Sequence, residues 1–114
     1  MDRLRAGLIG CGKAAELHAR AVKMCGCAEL AAVCDRDEET ASRFGSRHGA
    51  QSFTDLTDML AEAALDACIV CTPHPHHAEP ALQALSNGVH VLIEKPMAPT
   101  LKECDAMINA ADAS

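Results

Sequence analysis

Apolar runs alternate with segments of helical periodicity along the whole chain. Five short runs, most of them rich in Val, Ile, Leu, Ala and Cys, are predicted to be strands. They are LRAGLIG, AELAAVCD, QSF, LDACIVCTP and VHVLIEKP. Five other segments have the pattern of helices. They are KAAELHARAVKMC, DEETASRFGSRHG, TDLTDMLAEA, HHAEPALQALSNG and TLKECDAMINAADA.

The predicted strands are continuous apolar runs rather than alternations of polar and apolar residues. Strands of this kind are covered on both faces, which is typical of a parallel sheet with helices on each side. The alternation of strand and helix therefore predicts an α/β fold with a doubly wound parallel sheet. Right-handed crossovers place the five strands in the order 3-2-1-4-5.

The sequence also predicts one face of the first helix and the cap of the third helix. In the first helix, Leu17, Ala21 and Met24 share one face. Thr54 or Asp55 can cap the third helix, because either side chain accepts a hydrogen bond from a first-turn amide.

The composition is that of one globular domain, residues 1–114, with 49% hydrophobic residues. A net charge of -6, two Phe and no Tyr or Trp argue against nucleic acid as a partner, since such a protein needs a basic face and aromatic rings. Every apolar run is far shorter than the roughly 18 residues that span a bilayer, and the N-terminus has no secretory pattern. We therefore expect a soluble cytoplasmic protein with no membrane partner.

Seven cysteines lie in the apolar segments, which in a chain without a signal peptide indicates reduced and mostly buried thiols. Cys68 and Cys71 fall in one predicted strand, on opposite faces and about 10 Å apart. That separation exceeds the roughly 7 Å limit for a disulfide, so we expect no redox chemistry from this pair. Cys25 and Cys27 are interpreted as small apolar residues that end the first helix rather than as a pair of metal ligands.

The stretch GLIGCGKAAELHARAV, residues 7–22, places small residues between the first strand and the first helix. Gly10 allows a tight turn there, and Gly12 lets a diphosphate approach the backbone because no Cβ is in the way. The small side chain of Ala15 lets the helix pack closely on the strand. Taken alone, the same spacing also fits a purely structural turn.

An anion site is predicted in front of the first helix. The amides of Lys13, Ala14 and Ala15 have no partner within the helix and favour a negative charge. Asp35 ends the second strand, and its carboxylate can accept hydrogen bonds from a ribose 2'-hydroxyl. Strand, glycines, helix, strand and acid together predict dinucleotide binding.

The choice of dinucleotide depends on Asp35 and its neighbour Arg36. The carboxylate of Asp35 repels a 2'-phosphate and so favours NAD. The guanidinium of Arg36 could pair with that phosphate, which keeps NADP possible, although a solvated arginine leading into the second helix explains it equally well. NAD is the predicted cofactor, with NADP left open.

The cluster HPHH brings His74, His76 and His77 together, and imidazole is a good zinc ligand. The cluster lacks a second pair of ligands at a suitable spacing, and Pro75 and Pro80 fit a helix that begins near His76 or His77. We therefore predict no metal site and expect His74 and His76 to be exposed loop residues.

The second half of the chain carries the more distinctive motifs. Thr72-Pro73 is followed four residues after the proline by His77, and Glu94-Lys95-Pro96 follows the fifth predicted strand. With the glycine stretch, these motifs make the chain resemble the N-terminal domain of the glucose-fructose oxidoreductase, inositol dehydrogenase and rhizopine-catabolism (Gfo/Idh/MocA) family. The resemblance covers essentially the whole chain.

This resemblance implies roles for individual residues. Lys95 would be catalytic, lying beside the nicotinamide and helping to hold the substrate, although a surface lysine beside a proline turn is the alternative. Thr72 and Pro73 would line the cofactor pocket, and His77 would begin a helix near the cofactor. Glu94 is predicted to belong to the cofactor site and to orient the turn that carries Lys95, with a direct part in the chemistry as the alternative.

Two functions remain open at this point. The first is the cofactor-binding half of an NAD(P)-dependent oxidoreductase that acts on a sugar, polyol or related hydroxy compound. The resemblance then implies a sixth strand and a second domain with the substrate and proton-transfer residues, which we expect to be absent from residues 1–114. The second is a stand-alone nucleotide-binding module without catalysis. In both cases an unpaired apolar fifth strand is expected to promote self-association.

Overall fold

Strands and helices alternate in the computed structural model, which describes residues 3–72, 77–94, 98 and 100–113. The strands are β1 (Leu4–Ile9), β2 (Ala28–Cys34), β3 (Gln51–Phe53), β4 (Ala67–Val70) and β5 (His90–Ile93). The helices are α1 (Lys13–Met24), α2 (Glu38–His48), α3 (Leu56–Glu62), α4 (Ala78–Ser86) and α5 (Leu101–Ala113). Within the described ranges, no helix has the length and apolar character needed to cross a bilayer.

The five strands form one parallel sheet in the order β3-β2-β1-β4-β5, which confirms the predicted fold and strand order. The strands end in register: Ile9 pairs with Cys34 and with Val70, Cys34 pairs with Phe53, and Val70 pairs with Ile93. The residues that directly follow these ends are called the carboxyl rim. They are Gly10, Asp35, Thr54, Cys71 and Glu94.

Helices cover both faces of the sheet, and each face has its own buried cluster. On one face, Ala19 of α1 and Phe44 of α2 pack against the sheet. On the other face, Met59 of α3, Ala84 of α4 and Met107 of α5 are buried together. This is the doubly wound arrangement that the continuous apolar strands predict.

The buried face of α1 differs from the face that its large apolar residues suggest. Ala15, Ala19 and Val22 are buried against the sheet. Leu17 and Met24 are 69% and 86% exposed. Small side chains face the sheet because they let the helix approach it closely, so the periodicity identifies the helix but not its contact surface.

The cap of α3 is Asp55 rather than Thr54. The Oδ1 atom of Asp55 accepts a hydrogen bond of 2.8 Å from the amide of Thr57. The carboxylate therefore satisfies one of the first-turn amides that have no partner within the helix.

All seven cysteines are free. Cys68 is buried with the α3, α4 and α5 layer, whereas Cys71 packs against the α1 and α2 layer. The prediction that these two thiols lie on opposite faces is therefore confirmed. The interpretation of Cys25 and Cys27 as an apolar end of the first helix is wrong, because both residues are exposed. The turn that carries them is held by backbone hydrogen bonds rather than by apolar packing.

β5 is covered on one face only. Val91 and Ile93 are half-buried and pack against the α3, α4 and α5 cluster. Leu92, on the opposite face, is 55% exposed. The expectation that each strand is buried on both faces is thus wrong for β5, which lies at the end of the described sheet.

Candidate functional site

The turn after β1 requires a glycine at position 10. The φ angle of Gly10 is +91°, which L residues rarely adopt. A Cβ on Gly10 would lie 2.8 Å from the amide nitrogen of Thr72 and 2.9 Å from the carbonyl carbon of Cys71. The amide of Gly10 donates a hydrogen bond of 2.8 Å to the oxygen of Cys34. Gly10 therefore lets the chain pass tightly between the ends of β2 and β4.

Open space lies in front of the N-terminus of α1. Gly12 is the residue that precedes the helix, and it has no side chain to cap the amides of the first turn. A Cβ on Gly12 would meet no protein atom within 4 Å. Lys13 is exposed, Ala14 is half-buried, and Ala15 is fully buried beneath them. Backbone donors and room for an anion thus occur together here.

The carboxylate of Asp35 is joined to the glycine turn. Its Oδ2 atom accepts a hydrogen bond of 3.0 Å from the amide of Cys11, and its Oδ1 atom accepts one of 2.9 Å from the amide of Asp37. A carboxylate has about four lone-pair positions, so these two bonds leave capacity for further donors. Arg36 beside it is exposed. Asp35 is therefore fixed in orientation and can still accept hydrogen bonds from further donors.

A cleft of about 850 Å³ lies beside the turn at Gly10 and the carboxylate of Asp35. Gly10, Asp35, Arg36, Thr54 and Thr72 line it along the carboxyl rim and just beyond. Its other wall comes from α3, α4, α5 and the residues beside them. This wall includes Leu56, Ala78, Leu82, Gln83 and Glu103. An apolar wall with a few convergent polar groups is typical of a site for a small organic ligand.

One polar atom in this wall lacks a partner. Within the described part of the chain, Oε2 of Glu103 is buried and accepts no hydrogen bond. A buried acceptor without a donor is unfavourable by about 1–3 kcal/mol.

His77 is a buried residue that contacts the backbone just beyond the carboxyl rim. It precedes α4, is 2% exposed, and its Nε2 atom lies 2.7 Å from the carbonyl oxygen of Thr72. The imidazole therefore fixes the backbone that follows β4. His77 begins a helix as the sequence predicts, and its ring is engaged with Thr72.

Glu94 is held at the rim by a residue that sequence reasoning missed. Its Oε1 atom lies 2.6 Å from Nε2 of His18 on α1. Its amide donates a hydrogen bond of 3.2 Å to the oxygen of Val70. The two residues are 76 positions apart, so no local pattern connects them. The available signal is that His18 lies on the helix that starts at the rim.

Several predicted residues lie outside the described residues. They are Pro73, His74, His76, Lys95 and Pro96. Among the residues that are described, no group of three His, Cys, Asp or Glu side chains is placed to hold a metal ion.

Two thiols near the rim are protected from ionisation. Burial raises the pKa of Cys11 to about 12, with a further contribution from the charge of Asp35. Burial also raises the pKa of Cys34 to about 11, again helped by Asp35. Both thiols are therefore neutral at pH 7 and are not nucleophiles of this site.

A parallel sheet whose glycine turn and acidic residue line one cleft, with the first helix starting just after that turn, defines a dinucleotide-binding Rossmann domain. The sequence model of the Gfo/Idh/MocA oxidoreductase family, NAD-binding Rossmann fold, matches residues 4–114. The chain belongs to this family. The open space at Gly12 and the spare lone pairs of Asp35 fit a nicotinamide dinucleotide.

Similar proteins are dehydrogenases. The chain is 40% identical over 87 residues to scyllo-inositol 2-dehydrogenase (NADP(+)) IolU of Bacillus subtilis, a match that covers 75% of this chain and 26% of IolU. It is 39% identical over 106 residues to glucose-6-phosphate 3-dehydrogenase of the same organism, covering 93% of this chain and 30% of that protein.

A solved structure of a dehydrogenase is also similar to this chain. The WlbA dehydrogenase from Bordetella pertussis, in complex with NADH and UDP-GlcNAcA, superposes with a TM-score of 0.94 at 36% identity. The match covers 97% of this chain and 35% of WlbA. The chain thus spans about a third or less of the length of the relatives it matches.

Proposed function

We propose that this chain is the cofactor-binding half of an NAD(P)-dependent oxidoreductase that transfers a hydride between nicotinamide and a sugar, polyol or related hydroxy compound. Family membership and the names of the similar dehydrogenases support this reaction class. The observation that carries the proposal is the hydrogen bond from the amide of Cys11 to Asp35. It places the acid beside the glycine turn at the mouth of the cleft.

In this proposal the amides of Lys13, Ala14 and Ala15 bind the diphosphate. The absence of a side chain at Gly12 gives the anion access to them. Asp35 accepts hydrogen bonds from the ribose hydroxyls next to the adenine.

The proposed adenosine pocket lies between the carboxyl rim and α4. Thr72, just beyond the rim, and Leu82 on α4 both line the cleft. The charge of Asp35 favours NAD, while the exposed guanidinium of Arg36 is the group that would pair with the 2'-phosphate of NADP.

Lys95 is the proposed catalytic residue. The resemblance to the family assigns it a place beside the nicotinamide, where its ammonium group would orient a substrate hydroxyl. Support comes from the preceding residue, Glu94, which is fixed at the carboxyl rim by His18 and Val70. Pro73 is proposed as a further cofactor contact because it follows Thr72 of the cleft.

Residues 1–114 are proposed to form one cofactor-binding domain. The substrate and proton-transfer residues would then come from a second domain, since the similar dehydrogenases are about three times as long as the match. A cytoplasmic location is proposed because all seven cysteines are free, as is usual in a reducing compartment.

Self-association through β5 is also proposed. β5 ends the described sheet, and Leu92 exposes an apolar side chain beside that edge. An apolar strand edge is a template for pairing with a second copy.

The experiment that tests cofactor binding is isothermal calorimetry with NADH and NADPH. We compare the chain with Asp35→Ala and with the matched control Asp112→Ala, which removes an exposed carboxylate near the end of α5. We expect the chain and the control to bind NADH alike, and Asp35→Ala to bind at least about tenfold more weakly, the value of one charge-assisted hydrogen bond. Failure of both dinucleotides to bind the folded chain at millimolar concentration would overturn the proposal.

A further inference from the structure

Two exposed thiols lie side by side in the turn between α1 and β2. Cys25 directly follows α1, Cys27 directly precedes β2, and their Sγ atoms are 3.1 Å apart. Both residues are exposed to solvent. The two sulfur atoms are therefore in contact, and small reagents can reach both of them.

The backbone holds this turn at both ends. The amide of Cys25 donates hydrogen bonds of 3.1 Å to the oxygens of Ala21 and Val22. The oxygen of Cys27 accepts a hydrogen bond of 2.8 Å from the amide of Leu4. These backbone hydrogen bonds fix both ends of the turn and so hold the two thiols close to each other. Gly26 between them has no Cβ, which lets the backbone adjust when the sulfurs approach further.

Cys25 differs from the buried cysteines in the direction of its pKa shift. Burial raises the pKa of Cys11, Cys68 and Cys71 to about 12. In the exposed turn, a hydrogen bond from the Cys27 thiol lowers the pKa of Cys25, and the same interaction raises the pKa of Cys27. One sulfur is thus favoured as the attacking thiolate, and the other remains a thiol next to it.

We propose that Cys25 and Cys27 are a reversible redox pair that a peroxide oxidises to an intramolecular disulfide. The thiolate of Cys25 attacks one oxygen of hydrogen peroxide, the O–O bond breaks, and hydroxide leaves, so that Cys25 becomes a sulfenic acid. The Cys27 sulfur then attacks the sulfenic sulfur, the S–S bond forms, the S–O bond breaks, and water leaves. The two protons of the dithiol complete two water molecules. A small dithiol reductant reverses the reaction.

The pair is separate from the proposed cofactor site. Cys27 contacts Leu4 at the start of β1, at the end of the sheet opposite the carboxyl rim. Oxidation is therefore expected to leave dinucleotide affinity unchanged. The redox proposal and the proposed function consequently succeed or fail independently.

The test is hydrogen peroxide treatment of the folded chain followed by mass spectrometry. We compare the chain with Cys25→Ser, Cys27→Ser and the matched control Cys104→Ser, which changes a half-buried thiol on α5. We expect the chain and the control to lose two hydrogen atoms, with the link mapped to Cys25 and Cys27, and to regain them with dithiothreitol. In Cys27→Ser the sulfenic acid on Cys25 has no adjacent thiol, so dimedone traps it.

A second readout does not depend on the disulfide. At pH 7 we expect iodoacetamide to modify Cys25 at least about tenfold faster than Cys34, whose thiol is buried and weakly ionised. Equal rates at these two positions, a disulfide that forms only between two chains, or no dimedone adduct on Cys25 in Cys27→Ser would each overturn the proposal. Circular dichroism of each variant establishes that it is folded before treatment.

Discussion

Nε2 of His18 lies 2.6 Å from Oε1 of Glu94, which joins α1 to the residue that follows β5. Both side chains are partly buried. The contact joins the helix that starts at the glycine turn to the carboxyl end of β5. Lys95 directly follows Glu94 in the sequence. His18 therefore fixes the side chain of Glu94 at the carboxyl rim.

Replacing His18 with alanine is expected to destabilise the fold. The variant loses a hydrogen bond between partly buried groups, which is worth about 1 kcal/mol in the free energy of unfolding. Urea denaturation measures this difference. His90→Ala is the matched control, since His90 is exposed on β5, and we expect it to change the free energy of unfolding by less than about 0.5 kcal/mol. Equal stability of both variants would contradict the role given to His18.

Replacing Gly10 with alanine is expected to cost at least about 2 kcal/mol of stability. The left-handed conformation alone costs roughly 1–2 kcal/mol for a residue with a Cβ, and the new atom would also lie 2.8 Å from the amide nitrogen of Thr72. Thermal and urea denaturation measure the loss. Gly26→Ala provides a comparison, because a Cβ there meets no protein atom within 4 Å. If both variants unfold at the same urea concentration, the tight turn at Gly10 is not required.

Glu16 is expected to contribute to the pH dependence of stability. A hydrogen bond from His48, supported by the charges of His48, Arg47 and Arg20, lowers the pKa of Glu16 below its ordinary value of 4.5. Because the native pKa is lowered, the stabilisation is complete above pH 4.5 and is lost as the pH falls below that value.

Glu16→Gln should therefore flatten the decrease of the melting temperature that occurs below pH 4.5. Glu62→Gln, which changes an exposed carboxyl at the end of α3, is the control and should keep the slope of the parent. Melting temperatures measured in steps between neutral pH and pH 3 give both slopes. Parallel curves for all three proteins would show that Glu16 makes no such contribution.

Leu92→Lys is expected to reduce self-association. The substitution places a charge beside the edge of β5, and charged residues at a strand edge oppose pairing with another chain. Light scattering after size exclusion, at increasing protein concentration, should give a smaller average mass than that of the parent. Leu17→Lys adds the same charge on the exposed face of α1 and should leave the average mass unchanged. A parent that stays monomeric at high concentration would contradict association through β5.

The strand order and the approach of Asp35 to the glycine turn could be predicted because the responsible patterns are local. Continuous apolar runs identify buried parallel strands, and the glycine turn and Asp35 each follow such a run directly. Parallel strands in register then bring Gly10 and Asp35 to one edge. The cap of α3 at Asp55 could be narrowed to two residues for the same reason, since capping acts within one turn.

The features that could not be predicted depend on contacts between distant residues or on packing distance. His18 and Glu94 are 76 positions apart, and no spacing rule joins them. α1 buries alanines rather than Leu17, because close approach to the sheet favours small side chains over large ones. The contact between Cys25 and Cys27 depends on the hydrogen bond from the amide of Leu4 to the oxygen of Cys27. Leu4 is distant from the turn in sequence, so the residues of the turn alone do not predict this contact.

We propose that a diphosphate binds over Gly12 on the first-turn amides of α1. Calorimetric titration of NADH into the chain and into Gly12→Ala tests it most directly, because a Cβ at this position meets no protein atom within 4 Å and leaves the fold unstrained. We expect Gly12→Ala to keep the melting temperature of the parent and to bind NADH at least about tenfold more weakly, since the methyl group occupies the space of the phosphate. Equal affinity of the two proteins for NADH would contradict it.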